Sequence, residues 1–176
     1  MTFRSLFLSP PAKAVLCLTG WKLIGQNYKV PKSVIVAHPH TSATDLYYTI
    51  LIGLALDLQL KIVAKEELFV YGLGWLLKAL GLVPIKRGSK SSTTTLLADM
   101  FEQESKNFHL VMAPTGTRRE GAEWKTGFLS IARKAQVPIL LAIINREEKV
   151  CGIFSDLYTT ASQEVDLEDI KRRYNV

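Results

Sequence analysis

The sequence has few of the features that mark secreted or membrane-spanning proteins. It contains only two cysteines, Cys17 and Cys151, which excludes a disulfide framework and favours a reducing compartment. Its longest apolar run, residues 46–56, falls short of the roughly 18–20 residues that span a bilayer. The N-terminus resembles a secretory signal peptide only loosely, because Pro10 and Pro11 interrupt its apolar part. We therefore expect no transmembrane helix.

Acidic residues are absent from the first 44 positions, which contain five basic residues. These are Arg4, Lys13, Lys22, Lys29 and Lys32. Basic side chains interleaved with apolar ones are typical of segments that bind anionic membranes, where each Lys or Arg contributes about 1 kcal/mol. We therefore expect a peripheral membrane protein on the cytoplasmic face, with an amphipathic segment over 1–30 and a domain over 31–176. The alternative is an N-terminal helix packed on the core. Nucleic acid is not an expected partner, since no arginine-rich stripe accompanies the charge.

Short apolar runs alternate with helical patterns along the chain. The runs are typical of buried strands. They cover residues 33–37, 60–64, 82–86, 108–112 and 137–143. The helical patterns cover residues 44–56, 73–80, 92–105, 127–135 and 166–174. Strands that alternate with helices predict a single α/β domain.

Three clusters of polar residues follow predicted strands at their carboxyl ends. HPHTSATD spans residues 38–45, IKRGSK spans 85–90 and APTGTRRE spans 113–120. If the strands are parallel, their carboxyl ends meet at one edge of the sheet, where open α/β folds bind ligands. The sequence therefore predicts that the three clusters converge on one site.

His40 and Asp45 are the candidate catalytic pair in the first cluster. Because they lie five positions apart, they meet only if His40 is on the loop and Asp45 in the first helical turn. Ser42 and Asp45 fit the S-x-x-D pattern of a helix N-cap, which supports that geometry. A carboxylate that holds an imidazole fixes its tautomer and raises its basicity. Both effects help the imidazole to remove a proton from an alcohol.

Two other interpretations of the first cluster stay open. In one, Asp45 is only a capping acid and His40 only a loop residue. In the other, His38 and His40 bind a metal ion. Zinc requires three or four ligands, however, and only Asp45 and the distant His109 remain to complete the set. We therefore expect no metal.

The other two clusters are candidate phosphate sites. Gly116 and its small neighbours permit a tight turn whose backbone N–H groups face an anion. Arg118 can then bind phosphate through two nitrogens. Lys86 and Arg87 offer a second basic grip. Each signal is weak alone, since an arginine at the end of a strand is commonly just exposed.

Taken in order, the clusters resemble the four sequence boxes of the glycerolipid acyltransferases, the family of lysophosphatidic acid and glycerol-3-phosphate acyltransferases. HTSATD at 40–45 resembles the His-x4-Asp box, and GLVPIKR at 81–87 resembles the second, glycine-to-arginine box. PTGTR at 114–118 resembles the third, Glu-Gly-Thr-Arg box, and VPIL at 137–140 the fourth, Val-Pro-Ile box. The likeness covers about residues 20–145. It implies a mixed, mostly parallel sheet flanked by helices.

The resemblance also implies a role for each matching residue. His40 would be the base that activates an acceptor hydroxyl for attack on an acyl thioester, and Asp45 would orient it. The residues implied to bind the phosphate of a lysophospholipid-type acceptor, or to shape its loop, are Arg87, Arg118, Gly116 and Thr117. The donor would be acyl-CoA or acyl carrier protein. Its thioester is already activated, so the resemblance implies no cofactor.

Thr115 departs from the family, which usually has glutamate at this position of the third box. A hydroxyl has neither the charge nor the reach of a carboxylate, so any acceptor contact or loop bracing by that acid is missing or remade. Ser42 matches a serine frequent in the first box, and Lys86 stands where the second box commonly has an acid. Ser42, Thr115 and Lys86 are therefore candidates for the acceptor site. The change at Thr115 keeps two alternatives open, a catalytically altered lipid- or acyl-thioester-binding relative and a thioester or lipid hydrolase.

The predicted helix over residues 73–80 has a leucine stripe at helical spacing. The stripe consists of Leu73, Leu76, Leu77 and Leu80. We expect it to pack in the core. The alternative is that it lines a channel for the acyl chain.

Overall fold

The computed structural model describes most of the chain. The described residues are 7–25, 28–39, 42, 44–69, 72, 74–85, 90–103, 107–117, 119 and 121–176, without the side chains of 90–92.

Seven strands form one sheet in the described ranges. They are β1 (Lys22–Ile24), β2 (Lys32–Ala37), β3 (Leu60–Lys65), β4 (Leu82–Ile85), β5 (Phe108–Met112), β6 (Ile139–Asn145) and β7 (Val150–Leu157). Their order is β1-β7-β6-β2-β5-β3-β4. The pairing of β6 with β7 is antiparallel, and the other five pairings are parallel. This mixed, mostly parallel sheet confirms the predicted fold class.

Six α-helices and one 3-10 turn accompany the sheet in the same ranges. The helices are α1 (Ser9–Leu18), α2 (Asp45–Ala55), α3 (Gly74–Ala79), α4 (Lys90–Gln103), α5 (Gly127–Ala135) and α6 (Gln163–Tyr174), and the 3-10 turn is Glu66–Phe69. None of these helices is long and apolar enough to cross a membrane.

The two prolines of the predicted strands lie where a missing N–H is tolerated. Pro84 is within β4, which lies at the edge of the sheet. Pro138 precedes β6, which therefore begins two residues later than predicted. The N–H of Val137 belongs to the preceding helix, since it donates to the carbonyl oxygen of Ala132.

Alternate residues of β2 contribute to different core clusters, as the two-residue period of a strand requires. Val34 and Val36 pack with residues of α4, α5 and α6. Ile35 packs with Val111 and Leu140 in a smaller cluster. Both faces of the central strands are therefore buried.

Helix α1 has one packed face and one exposed face. Ala12 and Leu16 are buried in a cluster with Ile52 of α2, and Ser9 Oγ donates to the carbonyl oxygen of Ala55 at 2.8 Å. On the outer side, Leu18 is 87% exposed. The packed N-terminal helix is therefore present, while the membrane-facing role and the domain boundary at residue 30 stay predictions.

Helix α3 corrects the expectation that the leucine stripe packs in the core. No described residue of α3 is buried, and Trp75 is 73% exposed. Leu76 and Leu80 are exposed as well, while Leu73 lies outside the described residues. The helix precedes the edge strand β4, beyond which the described sheet has no further strand to cover it. The leucines have helical spacing, but no described leucine of the stripe is buried.

Candidate active site

The strands that precede the first and third polar clusters are neighbours. In the parallel pairing of β2 with β5, Val36 lies opposite Met112, and both strands end within one residue of that pair. The two clusters therefore leave the sheet side by side, as the sequence predicted. The second cluster follows β4, two strands from β5, which at the usual strand spacing is about 10 Å away.

Several predicted site residues lie outside the described residues. They are His40, Lys86, Arg87 and Arg118. Their roles as base and phosphate-binding groups stay predictions. The described members of the predicted set are Ser42, Asp45, Thr115, Gly116 and Thr117.

Gly81, which opens the second box, has a conformation that favours glycine. Its φ is +90°, and a Cβ at this position would lie 2.5 Å from the carbonyl oxygen of Leu60. The backbones of β3 and the start of β4 can approach this closely only because the residue has no side chain.

Asp45 is the first residue of α2 and is 4% exposed. Its Oδ2 accepts the backbone N–H of Ser42 at 2.9 Å, which is one half of the predicted capping pattern. The other half differs, because Ser42 Oγ accepts the N–H of Thr44 at 3.3 Å, and the N-cap of α2 is Thr44 instead of the predicted Ser42. The other carboxylate oxygen of Asp45, Oδ1, accepts a hydrogen bond from the guanidinium of Arg146. Among the described residues, a backbone donor and a cation thus hold this buried carboxylate at the start of a helix, where negative charge is favourable.

Arg146 is a site residue that the sequence reasoning missed. It follows the last residue of β6, Asn145, whose Oδ1 accepts the N–H groups of Glu147 and Glu148 at 3.1 and 3.0 Å. These bonds fix a tight turn that presents Arg146 toward Asp45. A signal was available, since the polar pair Asn145 and Arg146 follows a predicted strand as the other clusters do. The fourth box, which ends at residue 140, did not include it.

The loop after β5 forms the predicted tight turn. Gly116 has a φ of +62°, in the left-handed region that favours glycine, and its N–H donates to the carbonyl oxygen of Ala113 at 3.1 Å. Thr115 is 8% exposed, and its hydroxyl donates to the carbonyl oxygen of Thr117 at 2.8 Å. The side chain that replaces the family's glutamate therefore braces its own loop.

His38 contacts aromatic side chains beside the first box. Its ring centroid lies 4.8 Å from that of Trp124 and 5.4 Å from that of Tyr174. Burial lowers the pKa of His38 below its usual value, so the ring is neutral near pH 7. Among the described residues, no three His, Cys, Asp or Glu side chains lie together in a way that could hold a metal ion.

A cavity of about 1630 Å³ connects His38, Asp45 and the turn at Gly116. Its polar lining includes His38, Asp45 and Thr117. Its apolar lining includes Ile35 of β2 and Val111 of β5. Helix α2 adds Leu46 and Ile52, and β3 adds Leu60 and Ile62. The lining runs from Ala113, just after β5, to Leu60, which lies opposite His109 near the start of β5. Four residues along a strand separate these levels, so the lining extends about 13 Å along the sheet. No described residue of α3 lines it.

Comparison with known proteins identifies the class of protein. A family model described as Acyltransferase matches residues 22–144, which is more than half of the chain. The chain therefore belongs to the acyltransferase family, as the four sequence boxes predicted. It is 30% identical over 105 residues to the chloroplastic 1-acyl-sn-glycerol-3-phosphate acyltransferase BAT2 of Brassica napus. That match covers 57% of this chain and 29% of the Brassica protein, so the chain spans less than a third of its relative. No solved structure matches the chain.

Proposed function

We propose that the protein is an O-acyltransferase. It transfers a fatty acyl group from acyl-CoA or acyl carrier protein to a hydroxyl of a lysophospholipid-type acceptor. The observation that carries the proposal is the position of Asp45, a buried carboxylate that lines a large, mainly apolar cavity in a chain of the acyltransferase family. The similarity to a 1-acyl-sn-glycerol-3-phosphate acyltransferase supports an acceptor of this kind.

The proposed chemistry needs one base and one acid that orients it. His40 takes the proton of the acceptor hydroxyl as its oxygen attacks the thioester carbonyl carbon. The carbon–sulfur bond then breaks, and the departing thiolate receives the proton from the imidazolium. Asp45 fixes the imidazole tautomer and stabilises the imidazolium charge. Both substrates are held in near-attack geometry, and no metal or cofactor takes part.

The apolar part of the cavity suits the acyl chain. Leu60 and Ile62 of β3 and Val111 of β5 offer a surface without charge, next to the carboxyl edge where the polar clusters begin. Burying an acyl chain there is favourable by about 0.8 kcal/mol per methylene group. We assign this part of the cavity to the acyl group and the polar edge to the acceptor's head.

The acceptor's phosphate is assigned to the second and third boxes. Arg87 and Arg118 would bind it, Lys86 would add positive charge, and the turn at Gly116 and Thr117 would shape the loop. This turn lines the cavity, which supports the assignment. Ser42 and Thr115 flank the same region and complete the proposed acceptor site.

We assign the outer face of α1 to an anionic membrane surface, with the protein bound peripherally at the cytoplasmic face. Leu18 at the end of α1 is 87% exposed, Phe7 just before the helix is 57% exposed, and Lys13 within it is exposed too. A lysophospholipid acceptor is a membrane component, so a surface-bound enzyme has direct access to it.

A donor-by-acceptor matrix with mass identification of products tests the proposal. Acyl-CoA and acyl carrier protein donors are combined with lysophosphatidic acid, other lysophospholipids and glycerol 3-phosphate. Formation of an acylated acceptor is the expected result. Release of free fatty acid without such a product would instead identify a hydrolase. Tight lipid binding without turnover across the matrix would identify a non-catalytic relative.

A further inference from the structure

The ion pair between Arg146 and Asp45 joins two distant parts of the sequence at the proposed active site. The residues are 101 positions apart, one at the start of α2 and the other just after β6. The same guanidinium nitrogen also donates to Thr44 Oγ1 at 2.8 Å. The guanidinium carbon lies 5.5 Å from the centroid of the Tyr48 ring. Three contacts therefore fix one orientation of this arginine.

The two partners differ in exposure. The Asp45 side chain is 6% exposed, whereas that of Arg146 is 39% exposed. A buried carboxylate is stable as an anion only with charged or hydrogen-bonding partners around it. Arg146 supplies a cation on one oxygen while the Ser42 N–H occupies the other. Together they fix the plane in which the carboxylate lies.

We propose that Arg146 is a positioning residue that acts through Asp45. It holds the Asp45 carboxylate in the orientation from which that acid serves the His40 base, and its positive charge lowers the basicity of the base. This inference rests on the proposed function, because it requires Asp45 to act on His40. It adds a residue outside the four boxes to the catalytic apparatus.

Replacing Arg146 leaves the other titratable side chains of the cavity chemically unchanged. Those lining it in the described ranges, besides Asp45, are His38, Lys65, Glu123 and Lys125. Tyr48 also lies beside the guanidinium. A comparison of Arg146 variants with the wild type therefore isolates the effect of the arginine charge.

The chain contains a matched control pair outside the lining of the cavity. Arg133 of α5 donates to Asp166 of α6 at 3.1 Å, and their side chains are 35% and 1% exposed. This pair has the same chemistry and similar burial as Arg146 and Asp45, but neither residue lines the cavity. Arg133→Met should therefore lower stability by removing an ion pair, without lowering catalysis in the folded protein.

The test measures kcat and KM of acyl transfer from pH 5 to 9, together with thermal unfolding, in the full chain. Arg146→Met should lower kcat at least tenfold, with little change in the donor's KM. It should also shift the acidic limb of the kcat profile to higher pH, because loss of a nearby positive charge makes the base more basic. Arg146→Lys keeps the charge, so it should retain the wild-type limb and recover part of kcat. Arg133→Met should lower thermal stability and leave the pH profile unchanged.

Two results would contradict the inference. One is an Arg146→Met protein with the wild-type pH profile and kcat. The other is an Arg146→Met protein whose activity falls only as much as its folded fraction, as is expected for Arg133→Met. If Arg146→Met does not fold, Arg146→Gln, which keeps a polar side chain without the charge, is judged by the same two results. An inactive wild type would overturn the proposed function and this inference together, whereas an active wild type with an unshifted variant overturns the inference alone.

Discussion

The hydroxyl of Thr115 donates to the carbonyl oxygen of Thr117, two residues further along the same loop. Glutamate is usual at this position of the third box, and the threonine braces the loop without supplying a negative charge. The backbone turn at Gly116 is kept. The departure therefore concerns the electrostatics of the proposed acceptor site more than the shape of its loop.

Replacement of Thr115 separates these two effects. Thr115→Val keeps the volume and removes the hydrogen bond, so it should destabilise the protein by about 1 kcal/mol and raise the acceptor's KM. Thr115→Ser keeps the bond and serves as the control. Thr115→Glu restores the family's carboxylate and should change the order of preferred acceptors. Denaturant unfolding measures the change in stability, and the acceptor matrix measures the change in acceptor KM and preference. A Thr115→Val protein with wild-type stability would show that the brace is not needed.

The cavity assignment predicts a change in acyl-chain preference. Ile62 lines the cavity on β3, so Ile62→Phe should fill part of it and shift the preferred donor to shorter acyl chains. The measurement is kcat/KM across a series of saturated acyl donors. Leu157→Phe is the control, because Leu157 is a half-buried strand residue that does not line the cavity. An unchanged chain-length profile in Ile62→Phe would place the acyl chain elsewhere.

The sequence predicted most of the fold because its central strands are continuous apolar runs. All five predicted strands are present, and the described parts of the predicted helices lie within a few residues of their expected bounds. Strands β1 and β7 were missed for identifiable reasons. Residues 22–24 are too short to show a pattern, and residues 150–157 contain Gly152, Ser155 and Asp156. Helix α3 was predicted, but its burial was not as expected, because a leucine stripe specifies an apolar face and not the element that covers it.

The candidate site was predictable only as far as the strand ends allowed. Parallel pairing places the clusters after β2 and β5 side by side, and the S-x-x-D pattern anticipated the contact between Ser42 and Asp45. Arg146 was not anticipated, because its contact with Asp45 depends on the tertiary pairing of β6 with β2. The polar pair after β6 marks Arg146 as a candidate, but a local pattern does not say which residue it contacts.

The buried pair of His109 and Ser33 predicts a loss of stability at mildly acidic pH. His109 Nδ1 lies 2.7 Å from Ser33 Oγ, and burial lowers the pKa of His109 to about 4. Between the unfolded value near 6.5 and about 4, the unfolded chain binds a proton that the folded chain does not. The stability is therefore fully present above pH 6.5 and falls as the pH drops toward 4, by roughly 3 kcal/mol in total.

Urea unfolding at several pH values measures this effect. His109→Asn retains a polar group near Ser33 but does not titrate, so its stability should depend less on pH over the same range. An equal dependence in the variant and the wild type would assign the acid sensitivity to other groups.

The assignment of α1 to a membrane predicts vesicle binding that weakens with salt. Vesicles that contain anionic lipid should bind the protein at low ionic strength and release part of it at high ionic strength, because salt screens the basic residues. Leu18→Ser should weaken binding, since Leu18 is 87% exposed on the outer face of α1. Val165→Ser, at a position 57% exposed on α6, should not. Binding that ignores salt would indicate purely apolar insertion, and no binding would leave α1 a structural helix.

The proposed chemistry requires an imidazole supported by Asp45 to remove the acceptor's proton. The most direct measurement is acyl transfer by His40→Ala and by the wild type, with the labelled product identified by mass and the folded fraction of each protein measured by thermal unfolding. His40→Ala should fold as the wild type does and transfer acyl groups about 10²–10⁴-fold more slowly. Equal rates in the two folded proteins would contradict it.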